Sequence, residues 1–99
     1  MVILKVTSIA KKAYTFEDGQ IVYTKIHEAF EKGDGVILSF EGVDSIPSSF
    51  ANGCFVKLLE TYGMQRIKSS LKIENSTKQI NGMIKARLDF EQKRLNGEG

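Results

Sequence analysis

Two adjacent hydroxyls, Ser48 and Ser49, lie in the segment Ile46-Pro47-Ser48-Ser49-Phe50-Ala51-Asn52, at the start of an apolar stripe with helical spacing. Pro47 disfavours helix before it, so the helix begins here. A serine at such a start has two uses. Its oxygen can accept from the unpaired N–H groups of the first turn and act as a cap. Alternatively it stands exposed at the positive end of the helix, where those N–H groups and the helix dipole would stabilise a phosphate. Phe50 and the preceding loop residues Asp44 and Ser45 belong to the same candidate surface for binding a partner or carrying a phosphate.

Other chemistry-bearing residues are few. The chain has one Cys, one His and no Trp, an inventory that leans away from an enzyme. Cys54 sits one helical turn from both Phe50 and Leu58, the position of a small core residue and not of an exposed thiolate. A lone thiol cannot close an intramolecular disulfide, and with only His27 for company it cannot complete a zinc site of the usual Cys and His count. His27, between Ile26 and Glu28, has no Ser, Cys or Asp motif to complete a triad and reads as a surface histidine. Gly33, Gly35 and Gly42 fit neither the dinucleotide nor the phosphate-loop pattern and read as turns. Lys78, Lys85, Arg87, Lys93 and Arg94 could form a basic edge on the last helix. Asp89 and Glu91 interrupt it and no aromatic ladder accompanies it, so a solvated face is expected there and nucleic-acid binding is not. No catalytic residue, metal ligand or cofactor-binding residue is expected.

The elements that would position these residues follow from periodicity. Val2 to Ser8 alternate and are rich in β-branched types, which predicts a strand. Thr15 with Asp18 makes a helix start, and Val22, Ile26, Ala29 and Phe30 carry the helix from about Phe16 to Lys32, with Gly19 weakening its opening by roughly 1 kcal/mol. Ala13 to Phe16 are too few to decide whether they add a short edge strand beside the first. The apolar run Val36-Ile37-Leu38-Ser39-Phe40 suits a central strand. Phe50, Cys54, Phe55, Leu58, Leu59 and Tyr62 predict a second helix over Ser48 to Tyr62, terminated by Gly63. Ile67, Ser69, Leu71 and Ile73 mark a third strand, and Ser76 with Gln79 forms a capping box for a helix carrying Ile80, Met83, Ile84 and Leu88. The order βαβαβα gives an α/β fold with a small mixed sheet, mostly parallel central strands and about three helices.

With 99 residues, 41% hydrophobic and 26% charged, the chain reads as one globular domain over residues 1–99, frayed at Met1 and at Asn96 to Gly99. A balance of 14 basic against 12 acidic residues supplies no field that demands nucleic acid or anionic lipid. No apolar stretch approaches the ~18 residues of a membrane span, and Lys5 interrupts the apolar opening too early for a signal peptide. A reducing, cytoplasmic location and no membrane partner are the expectations.

The strand ending Ser39-Phe40-Glu41-Gly42-Val43, the segment from Ile46 to Asn52 with its amphipathic helix, and Leu71-Lys72-Ile73-Glu74-Asn75-Ser76 together resemble the STAS-like family of small bacterial domains of unassigned function, over roughly residues 16 to 94. That family is a relative of the sulphate transporter and anti-sigma factor antagonist fold. The resemblance implies a non-enzymatic regulatory module that binds another protein through the start of the second helix, with a GHKL-type ATPase or kinase as partner. In the antagonists the equivalent turn reads Asp-Ser-Ser/Thr-Gly-Leu and its first Ser is phosphorylated. That hydroxyl falls on Ser48, while Pro47 replaces the Asp, Phe50-Ala51 replace Gly-Leu, and Ser39 stands where an Asp is expected. Alternative readings are a phage or mobile-element inhibitor or accessory protein on the same scaffold, nucleic-acid binding through the basic last helix, and a small enzyme using Cys54 or a Ser.

Overall fold

A computed structural model describes residues 1–97. Its three strands, β1 (Val2–Lys5), β2 (Val36–Ser39) and β3 (Leu71–Glu74), form a parallel sheet in the order β1-β2-β3. The register pairs Val2 with Val36 and Val36 with Leu71. Between and after them come α1 (Val6–Ile9), α2 (Phe16–Glu31), α3 (Ser48–Ala51), a π-helical segment (Asn52–Val56), α4 (Lys57–Tyr62), α5 (Met64–Ser70) and α6 (Lys78–Leu95).

Alternation along the strands shows which face the helices cover. Val36 and Leu38 are fully buried and Val2, Leu4, Leu71 and Ile73 pack against the same core, whereas Ile3 is 72% exposed and Lys72 and Glu74 face solvent. The helices therefore form one layer on one face, as two like-handed crossovers in a 1-2-3 order require. The α/β class and the alternation of strands with major helices are as expected. The described strands are all parallel, so the sheet is not mixed, and shorter helical pieces accompany the three main helical runs.

Three local expectations are corrected. The first strand ends at Lys5, and Val6 to Ile9 turn into α1. Its neighbour β2 ends at Ser39, the partner of Lys5, so a longer β1 would have had no ladder to join. Residues 67 to 70 are helical: Gly63, at φ 86°, breaks the preceding helix and α5 runs from Met64 to Ser70. Met64, Ile67 and Leu71 recur at helical spacing, which the alternation of Ile67, Ser69 and Leu71 concealed. The cap of α6 is Thr77 and not Ser76, its Oγ1 accepting from the Ile80 N–H at 3.2 Å and donating to the Asp44 carbonyl at 2.9 Å. Gln79, freed from capping, brackets the main chain of Ile46 with two 2.8 Å hydrogen bonds and pins the 44–47 loop to α6.

At the start of α2 the Thr15 and Asp18 capping box forms, and Ala13 to Thr15 are loop. Gly19 has a purpose that helix propensity alone does not convey. A Cβ there would overlap the Phe50 carbonyl oxygen and lie 3.0 Å from the Cys54 nitrogen, while one on Gly53 would overlap the Phe16 carbonyl oxygen. The two glycines thus let α2 and the π-helical segment cross with backbones in contact, which fixes the start of α3 against the start of α2. Glu98 and Gly99, expected to fray, lie outside the described residues; Asn96 caps α6, its N–H donating to the Gln92 carbonyl at 3.0 Å.

Candidate functional site

The segment 6–15, which opens with α1, and the loop 40–47 follow the carboxyl ends of β1 and β2, the end of a parallel sheet where crevices form. They enclose a cleft of about 240 Å³ lined by Thr7, Lys11, Lys12, Tyr14, Asp44 and Ser45 among others. Asp44 and Ser45 are both exposed, and the Asp44 main chain is held by Thr77. The cleft mixes two ammonium groups, a carboxylate and hydroxyls, a lining suited to polar contacts with another chain.

Ser48 and Ser49 lie beside this cleft but do not act as caps. The N-cap residue is Pro47, whose side chain has no acceptor, and no side-chain cap bond is made. Ser48, the first residue of α3, is exposed. Ser49 is half-buried, and its Oγ donates to the Tyr14 carbonyl at 2.9 Å, linking α3 to the loop before α2. Phe50 does not belong to this surface. It is fully buried, edge-on to Phe40 at 6.4 Å between ring centres, because position i+2 from Ser48 points into the helix–sheet interface.

An ion-pair cluster on α6, packed against the π-helical segment that follows α3, was missed. Glu91, read from sequence as an interruption of a basic edge, is 6% exposed. Arg87 and Arg94 each donate to it at 2.8 Å, and the Arg87 Nε donates to Asn52 Oδ1 at 2.8 Å, tying α6 to the π-helical segment. The spacings of four and three residues were the available signal. The Arg94 hydrogen bond, then the charges of both arginines, hold the Glu91 carboxyl below its ordinary value although burial opposes this. At Asp18 burial likewise pushes upward, and the N–H groups of Tyr14 and Thr15 more than offset it. Folded values below unfolded ones mean stability present above the unfolded value and lost as pH falls through the folded one. Thermal melts should therefore show Tm flat above about pH 5 and falling below about pH 4. Glu91→Gln should flatten that acid limb, and an equally steep limb in the variant would remove Glu91 from the account.

His27 is half-buried and not a bare surface group. Its Nδ1 lies 2.7 Å from the Tyr62 hydroxyl, which donates at 2.7 Å to Glu31, and its ring stacks on Tyr23 at 5.6 Å. Burial and the Glu31 carboxylate push the Tyr62 hydroxyl up to about 12. This cluster clasps α2 to α4. Cys54 is fully buried, and burial pushes its thiol well above the ordinary range. A thiol reagent should label Cys54 slowly in the native protein and rapidly in denaturant; fast native labelling would reopen a role for the thiolate. Among the described residues no three His, Cys, Asp or Glu side chains are grouped to hold a metal ion, and no helix is long and apolar enough to cross a membrane.

A small parallel sheet with helices on one face, and polar loops and a helix start beyond the carboxyl ends of its strands, defines an α/β domain of the STAS-like kind. The family model for the STAS-like domain of unknown function (DUF4325) matches residues 18–81, well over half of the chain, from the first turn of α2 into α6. The chain belongs to that family. No curated protein and no solved structure matches it.

Proposed function

We propose that this domain is a non-enzymatic regulatory module that binds another protein through the surface formed by Ser48, Ser49, Asp44, Ser45 and Tyr14. The observation that carries the reading is the Ser48 side chain, exposed and making no cap bond to its own helix, next to a loop whose Tyr14 is 61% exposed. An amphipathic ring beside free polar groups is a common composition for an interface. The family resemblance makes a GHKL-type ATPase the partner to try first.

A pull-down from the native host followed by calorimetry tests this. Ser48→Asp should weaken the complex by about 1–3 kcal/mol, because a carboxylate at an exposed helix start is tolerated in the free domain but must be desolvated in the interface. Ser49→Asp is a harsher change, since it sets a carboxylate against the Tyr14 carbonyl that Ser49 now serves as donor. Ser48→Ala with Ser49→Ala provides the uncharged control. Unchanged affinity in all three, each shown folded by its melt, moves the interface elsewhere.

A further inference from the structure

The geometry points to a second binding site, independent of the α3 surface: the free edge of β3 accepts an extended, acidic segment of a partner protein as a fourth strand. The Phe40 N–H donates to the Glu74 carbonyl at 3.0 Å, which fixes the phase of the ladder. Main-chain groups of Lys72 and Glu74 face β2, so those of Leu71 and Ile73 face away from it. The Leu71 N–H is taken up by the Ile67 carbonyl at the end of α5. The Leu71 carbonyl and both main-chain groups of Ile73 are left without a main-chain partner among the described residues.

Beside this edge runs a groove of about 380 Å³ between α5 and α6, walled by Met64, Ile67, Ile73, Ile84 and Leu88. A strand hydrogen-bonded to β3 would send alternate side chains into the groove, the arrangement by which sheet edges read extended peptides. A helix could fill the groove but would leave the edge groups unpaired. Charge selects the occupant further. Lys68 and Lys85 stand on the rim against Asp89, which Lys85 already holds at 2.8 Å. The outward side chains of an added strand would lie beside the exposed Lys72 and Glu74, so that around the edge the three lysines Lys68, Lys72 and Lys85 stand against the two carboxylates Asp89 and Glu74. Apolar residues inward and acidic residues outward fit that frame.

The probe is a capped heptapeptide of alternating glutamate and valine, titrated into the full chain and followed by amide shifts and hydrogen exchange. Two controls are its isomer with the valines consecutive and the alternating lysine and valine peptide. In the free protein the Ile73 amide should exchange far faster than that of Leu38, and saturating peptide should slow it by at least about tenfold, as a new ladder bond does. Each control peptide, and the alternating peptide on the exposed double variant Lys68→Glu with Lys85→Glu, should bind at least about tenfold more weakly. An Ile73 amide protected in the free protein, protection that rises with protein concentration alone, a bound peptide with helical shifts, or equal affinity for all three peptides would each overturn the proposal.

Discussion

Replacing Gly53 with alanine is expected to unfold the domain or leave it only marginally stable, and Gly19→Ala to do nearly the same. The added methyl on Gly53 meets the Phe16 carbonyl and that on Gly19 meets the Phe50 carbonyl. Both obstacles are backbone, so no side chain can rotate away. Relief requires α2 and the π-helical segment to separate, which opens the core around Val22, Phe50 and Cys54, all fully buried. Overpacking of this kind costs about 1–3 kcal/mol where neighbours can adjust and more where they cannot. A rigid backbone crossing belongs to the second case, and about 4 kcal/mol is a large share of the ~5–15 kcal/mol that holds a domain of this size together. Gly82→Ala provides the opposite sign. Gly82 lies inside α6, is exposed, and a Cβ there meets nothing within 4 Å. That change should raise stability by about 0.5–1 kcal/mol through helix propensity. Urea melts of the three variants decide the matter, and Gly53→Ala with an unchanged midpoint would show the crossing to be looser than described.

The same glycines show why sequence was a partial guide. Period and caps are local signals, so α2 with its Thr15 and Asp18 box, the central β2, and α6 were legible residue by residue. A backbone crossing is not local, and a helical Gly19 read alone signifies only lost propensity. The π-helical turn at Asn52–Val56 is similarly silent, because an inserted residue leaves a stripe of Phe50, Cys54, Phe55 and Leu58 that still suits one helix. Residues 67 to 73 satisfied both periods at once, and only Gly63 with its left-handed φ marked where one helix ended and the next began.

The candidate site divides along the same line. Exposure of Ser48, Asp44 and Ser45 followed from polar residues near Gly42 and Pro47, and all three are exposed. The roles of the serines were not legible, since Ser49 donates to Tyr14, a loop 35 residues away in the chain. Glu91 was missed for a related reason. Its spacing to Arg87 and Arg94 is visible, but burial comes from packing against the π-helical segment through Asn52.

Phe50 is the residue whose reassignment has the largest measurable consequence after the glycines. Read as part of a partner surface, its removal would weaken binding and spare the fold. Its 0% exposure and its contact with Phe40 give the reverse expectation. Phe50→Ala should cost about 3–5 kcal/mol, the range for a large aromatic lost from a packed core, because the ring spans the gap between α3 and the sheet and nothing small fills it. Phe50→Leu keeps most of the volume and should cost about 1–2 kcal/mol, leaving a folded protein on which binding can be read. In that variant partner affinity should match the parent within about twofold, against a loss of about tenfold or more in Ser48→Asp, a difference of roughly 1 kcal/mol. Chemical denaturation followed by calorimetry on the leucine variant separates the two roles. A Phe50→Ala protein within about 1 kcal/mol of the parent in stability, with binding abolished, would return Phe50 to the surface.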